Sequence, residues 1–189
     1  MVSVPLNAAN LLTLSRIVLV PVMIVLLVGE HTGPLLSAAA VFGIAALTDA
    51  ADGHIARSRN MVTSFGRLAD PLADKLLVGA ALVSLVAIDR LALWIALVIG
   101  AREVGVAALR WHARRRGAEI HVSVLGKAKT GLQMSSIVML MVVSDPGAAW
   151  VDGVLLAVVA ITVASGLQYV VAYARRPRPA AAAAVGVAG

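Results

Sequence analysis

The chain has 189 residues, 60% of them hydrophobic and only 14% charged, and its mean hydropathy is +0.93. A water-soluble domain runs nearer half apolar and carries more charge, so the composition points to one integral membrane domain. With no cysteine there is neither a disulfide framework nor a thiol nucleophile, and the net charge of +6 is divided among separate loops, which argues against a nucleic-acid partner.

Six apolar segments follow one another, at roughly 11–28, 34–57, 67–88, 91–112, 127–143 and 151–173. Each is close to the ~20 residues that cross a bilayer core. They are too long and continuous for barrel strands, so the predicted fold is all-α, a polytopic protein of six transmembrane helices. The first segment does not read as a secretory leader: no Lys or Arg precedes it, Arg16 lies inside it, and no small-residue cleavage pattern follows. Turn residues separate the segments at Gly29-Glu30-His31-Thr32-Gly33-Pro34, at Asp89-Arg90 and at Ser144-Asp145-Pro146-Gly147. Arg57, Arg59, Arg67 and Lys75 flank the second connection. Arg110, Arg114, Arg115, Arg116, Lys127 and Lys129 flank the fourth, and Arg175, Arg176 and Arg178 follow the last segment. The alternate connections hold only Arg90. Positive charge concentrates on the cytoplasmic side, so both termini and the second connection are expected there. Trp94, Trp111 and Trp150 read as interface anchors. Residues 1–175 are expected to form the membrane domain, and the Pro/Ala-rich stretch 176–189 a disordered cytoplasmic tail.

The second and third segments carry an acidic pattern. It runs Asp49-Ala-Ala-Asp52-Gly53-His-Ile-Ala56-Arg57, then eight residues, then Gly66-Arg-Leu-Ala-Asp70-Pro-Leu-Ala-Asp74. Carboxylates at a membrane edge are costly and therefore rare without a function. At about 100° per residue, Asp49, Asp52, Gly53, Ala56 and Arg57 share less than half a helical turn. Asp49 and Asp52 can share a metal, as can Asp70 and Asp74, one turn apart on the next helix. Gly53 and Ala56 leave that face open to a ligand, and Arg57 adds a fork suited to phosphate. Pro71 is expected near a helix start, with Asp70 at the cytoplasmic mouth. Antiparallel neighbours would bring the two acidic pairs face to face, an oxygen-rich site for two hard cations. The plain alternative is a set of solvated helix ends and surface ion pairs.

The pattern D-x2-D-G-x2-A-R-x8-G-x3-D-x3-D resembles the signature of the CDP-alcohol phosphatidyltransferases, with every fixed position present. The resemblance implies a homodimer of six-helix subunits in which two divalent cations, Mg2+ or Mn2+, hold the diphosphate of a CDP-activated lipid while an alcohol displaces CMP. Carried over, Asp49, Asp52 and Asp70 are metal ligands, and Asp74 is a metal-side residue that also serves as general base. Gly53, Ala56, Arg57 and Gly66 match the CDP-contacting positions, with Asp52 among them. Asn10-Leu-Leu-Thr13-Leu-Ser-Arg16 resembles a segment near the nucleotide, although Asn10 and Thr13 equally suit helix caps. The stretches around Arg102-Glu103 to Arg110, and Gly126-Lys127-Ala-Lys129-Thr130, are similar to those of one branch, the bacterial phosphatidylglycerophosphate synthases. The resemblance extends to about residue 175.

That branch implies CDP-diacylglycerol and sn-glycerol 3-phosphate as substrates, in the inner membrane of a bacterial cell with the site facing the cytoplasm. An anionic acceptor would be met by Arg102, Arg110, Lys127 and Lys129. The competing reading is that these residues anchor helices four and five to the membrane face, with Glu103 as an ion-pair partner. Arg114, Arg115 and Arg116 read as a surface cluster facing anionic lipid heads. Other acceptors remain open within the family: phosphatidylglycerol, as in cardiolipin synthases, inositol phosphate or serine. Outside it, a cation transporter would place its acids nearer the bilayer midplane.

Overall fold

The computed structural model describes residues 8–29, 35–59, 64–116 and 124–175, and all four stretches are helical or connect helices. The predicted tail 176–189 lies outside the described residues. Six helices succeed one another: α1 (Ala8–Gly29), α2 (Leu36–Arg59), α3 (Ser64–Ala87), α4 (Leu93–Arg115), α5 (Val124–Val142) and α6 (Ala149–Ala174). They coincide with the six apolar segments to within about three residues at each end. The largest C-terminal overrun is at α4, which runs on to Arg115 with His112, Arg114 and Arg115 in its last turn. Basic side chains favour a helix C-terminus, and no Gly or Pro stops the helix before Gly117. Pro21 lies inside α1. Its missing N–H leaves the carbonyl one turn earlier without its helical donor.

Short connections make successive helices antiparallel. α1 packs on both α2 and α3, α6 packs on both α4 and α5, and α5 also meets α2 and α3. The described core draws on Met23 and Leu27, Leu35 and Phe42, Leu77 and Leu85, Ile95 and Ile99, Leu140 and Met141, and Val151 and Leu155. These come from the C-terminal halves of α1, α3 and α5 and the N-terminal halves of α2, α4 and α6. The described part of the core therefore lies at the end of the bundle opposite the acidic motif. Backbone ties close that end: Leu35 N donates to Met141 O at 2.6 Å, and Arg90 Nη1 donates to Leu140 O at 3.0 Å and to Val143 O at 3.1 Å. The turn before α4 passes through Asp89 at φ 57, a left-handed conformation that Asp tolerates better than most residues.

The buried stripe of α6 is Val151, Leu155, Val158, Thr162, Ser165 and Tyr169. Steps of four and three keep one seam of the helix inward. The seam is apolar in its first half and polar or aromatic in its second. Facing outward, large apolar side chains lie open, Leu47 at 72% and Val104 at 70% among them. By length and composition α6, at 26 residues, is able to cross a membrane.

Candidate functional site

The acidic motif straddles the α2–α3 connection. α2 carries Asp49, Asp52, Gly53, Ala56 and Arg57 in its last half, and α3 carries Gly66, Asp70 and Asp74 in its first. Both pairs thus belong to one end of the bundle, joined by the four-residue link 60–63. The side chains of 49–72, and those of Asp74, Lys127, Asn10 and Thr13, lie outside the described set. Two details differ from the expectation. α3 starts at Ser64, so Pro71 lies about two turns into the helix rather than at its start. Asn10 and Thr13 lie inside α1, beyond its first residue Ala8, so neither occupies a cap position. Among the described residues no three acidic or histidine side chains converge.

The described side chains build a second arrangement at the same end, between α4, α5 and α6. Arg102 lies on the inner stripe of α4, between Ile99 and Val106, with its side chain only 12% exposed. Its Nη1 donates to Glu103 Oε1 at 3.0 Å and its Nη2 to Ser165 Oγ at 3.0 Å. Nε is buried with no acceptor among the described residues. A guanidinium has five N–H donors, so most of this one's capacity is left over. Ser165 Oγ in turn donates to Thr162 O at 3.0 Å, which orients its lone pairs towards Arg102. Lys129, 2% exposed, donates to the same Glu103 oxygen from α5. One carboxylate therefore holds two cations.

Two turns along α4, Arg110 Nη2 reaches Tyr169 Oη at 3.5 Å. The guanidinium carbons of Arg102 and Arg110 lie 5.6 and 5.3 Å from the centre of the Tyr169 ring. A cavity of about 160 Å³ opens among Lys75, Arg102, Glu103, Arg110, Thr130 and Tyr169. Beside it a larger one of about 240 Å³ shares Lys75, Glu103 and Thr130, and adds Lys129, Gln133 and an apolar wall that includes Leu82 and Val104. Lys75, which follows Asp74 in α3, lines both cavities.

Of the four basic residues singled out from sequence, Arg102, Arg110 and Lys129 come together here, while the Lys127 side chain lies outside the described set. The ion pair of Glu103, expected if these residues were only anchors, is present. It does not exhaust them: Arg102 keeps a buried Nε with no acceptor among the described residues, and Arg110 meets only Tyr169 there. Unused guanidinium donors suit an anion with several oxygens, such as phosphate. Sequence reasoning passed over Ser165, Gly166, Tyr169 and Gln133. The available signal was hydroxyl and amide groups recurring at helical spacing within otherwise apolar segments.

A family model described as CDP-alcohol phosphatidyltransferase matches residues 6–176 of the chain. A probable phosphatidylglycerophosphate synthase of Mycobacterium tuberculosis is 40% identical over 168 residues, which cover 87% of this chain and 80% of that protein. The CDP-diacylglycerol–glycerol-3-phosphate 3-phosphatidyltransferase of Bacillus subtilis is 37% identical over 179 residues, covering 86% of this chain and 93% of its own length. That of Rickettsia typhi is 41% identical over 134 residues, covering 71% and 75%.

Proposed function

We infer the activity from one premise: the chain belongs to the CDP-alcohol phosphatidyltransferase family. The protein is a phosphatidyltransferase of phospholipid biosynthesis. It transfers the phosphatidyl group of CDP-diacylglycerol to sn-glycerol 3-phosphate, giving phosphatidylglycerophosphate and CMP. The observation that carries the choice of acceptor is the cavity where Arg102 and Arg110 share Tyr169, beside Lys75 and Glu103.

The acidic motif supplies hard oxygen donors, the ligand class that divalent cations such as Mg2+ prefer. Its four positions lie at one end of two consecutive helices, so the donor set fits two such ions. Asp49, Asp52, Asp70 and Asp74 would hold them. Bound there, Mg2+ or Mn2+ would neutralise the charge of the diphosphate. Gly53, Ala56, Arg57 and Gly66, with Asn10 and Thr13, form the CDP side of the site. Arg102, Arg110, Lys127 and Lys129 hold the acceptor phosphate. Asp74 accepts the proton as the acceptor hydroxyl oxygen bonds to the lipid-side phosphorus. The diphosphate P–O bond breaks, and CMP leaves with the electron pair.

All six helices cross the bilayer of a bacterial inner membrane, with both termini and the site at the cytoplasmic face, and the active form is a homodimer. The outward apolar side chains and the basic connections support the membrane placement. A second acceptor is favoured by one feature: the apolar wall beside the cation cavity suits a lipid such as phosphatidylglycerol. CMP release from CDP-diacylglycerol, measured with glycerol 3-phosphate, glycerol, phosphatidylglycerol, inositol phosphate and serine in turn, tests the reading. Glycerol 3-phosphate is expected to dominate. Release with phosphatidylglycerol but not glycerol 3-phosphate would transfer the assignment to cardiolipin synthesis.

A further inference from the structure

Helix α6 contributes no charged side chain to the cation cavity, yet it touches both of its arginines. Ser165 takes one bond from Arg102. Gly166 clears the arginine's stem, since a Cβ there would lie 3.3 Å from Arg102 Cγ. Tyr169, 4% exposed, meets both guanidiniums with its ring and Arg110 with its hydroxyl. The two arginines are held very differently. Arg102 has a carboxylate and a hydroxyl. Among the described residues Arg110 has only Tyr169. Eight residues of helix, about 12 Å of axis, separate the two backbones. Their side chains nevertheless converge on one aromatic ring, against their mutual repulsion. A ring face attracts a cation through its quadrupole, and a buried tyrosine has few rotamers, so it is a stiff reference point.

We propose that Tyr169 is the positioning residue of the acceptor site: its ring fixes Arg110 relative to Arg102, and so sets the spacing of the two forks that grip the acceptor phosphate. This rests on the reading of the cavity as the acceptor site. Without the ring, Arg110 would sample its rotamers freely, and the acceptor would have to order it on binding. The loss falls on acceptor affinity and leaves the CDP-lipid side and the proton-accepting carboxylate untouched.

The test is steady-state kinetics on the full-length protein in detergent or vesicles, with both substrates varied. Tyr169→Phe keeps the ring and is expected to stay within about threefold of the native KM for glycerol 3-phosphate. Tyr169→Met keeps bulk without a ring face, and is expected to raise that KM by about ten- to thirtyfold, the worth of the lost, desolvated ring contact to Arg110. The KM for CDP-diacylglycerol and the kcat at saturating acceptor should hold. Arg110→Ala is the control for the cavity itself. If the ring acts through Arg110, the double variant Tyr169→Met/Arg110→Ala is no worse than Arg110→Ala alone. Should Tyr169→Met fail to fold, Tyr169→Leu and Tyr169→His supply the same comparison, and His, still aromatic, should lie nearer Phe. If Arg110→Ala raises the acceptor KM while the ring-less variants do not, the positioning role is overturned and the acceptor site stands. If Arg110→Ala itself leaves that KM unchanged, the acceptor-site reading falls instead. Additive effects in the double variant would also overturn the proposal.

Discussion

Replacing Arg102 probes the acceptor site directly. In Arg102→Ala the guanidinium disappears from the cavity, but Glu103 keeps Lys129 as its partner. The substitution therefore leaves no buried carboxylate unpaired, and the fold is expected to survive. What is lost is one charge-assisted grip on a phosphate oxygen, worth about 2–3 kcal/mol. That corresponds to a rise of roughly thirty- to a hundred-and-fiftyfold in the KM for glycerol 3-phosphate. The KM for CDP-diacylglycerol should move by less than about threefold, because its recognition is assigned to the α2–α3 motif. Arg102→Lys keeps the charge. A single ammonium on a flexible stem cannot reproduce a planar fork braced by both Glu103 and Ser165, so rescue should be partial, recovering about tenfold. The assay is CMP release over a grid of both substrates. Equal shifts in the two Michaelis constants would mean that Arg102 supports the fold or the acidic site, and an unchanged acceptor KM would refute the phosphate role.

Three further outcomes are expected. Asp74→Asn should lower turnover by about a hundredfold to ten-thousandfold while nucleotide-lipid binding persists, since an amide cannot take the hydroxyl proton; near-normal turnover would remove Asp74 as the base. Excess chelator should abolish CMP release and added Mg2+ or Mn2+ should restore it, whereas full turnover in chelator would defeat the two-cation reading of the four aspartates. Gly166→Val should press on Arg102 Cγ, already 3.3 Å from the position of a bare Cβ, and raise the acceptor KM several-fold; normal acceptor kinetics would show that the arginine's stem does not depend on that clearance.

The helices were legible because each apolar run is long, continuous and bounded by turn residues or charge. Their packing was not. α6 is apolar around most of its circumference, so periodicity could not say which side faces inward. Its seam emerges only when Val151, Leu155 and Val158 find their places against α4 and α5. Arg90 was legible only as the exception to the charge bias of the loops. The structure supplies the reason for it: the guanidinium bonds the carbonyls of Leu140 and Val143 at the C-terminal end of α5. Those carbonyls have no helical donor of their own, and the partial negative charge there favours a cation. An arginine committed to capping a helix does not weigh against the orientation that the other basic residues indicate.

The candidate site divides in the same way. The acidic motif is local: its spacing within two consecutive helices carries its meaning, and sequence alone exposes it. The cation cavity is assembled from α3, α4, α5 and α6, residues up to about one hundred positions apart. Sequence showed the charges but left two readings, an anion site or membrane anchors, because both want basic residues near a membrane face. Burial favours the anion site. An anchoring arginine keeps its head in water while its stem lies along apolar surface. Arg102 instead has a nearly covered side chain, a hydroxyl and a carboxylate on its outer nitrogens, and a buried Nε without an acceptor. Burying a charge in that way is costly unless its donors are satisfied, and the described residues satisfy only part of them. An anionic acceptor entering beside Lys75 would use donors that the described residues leave unspent. The same argument explains why a polar, aromatic half-seam on α6 escaped notice: Ser165 and Tyr169 have ordinary side chains, and their importance comes from the two arginines they hold in place.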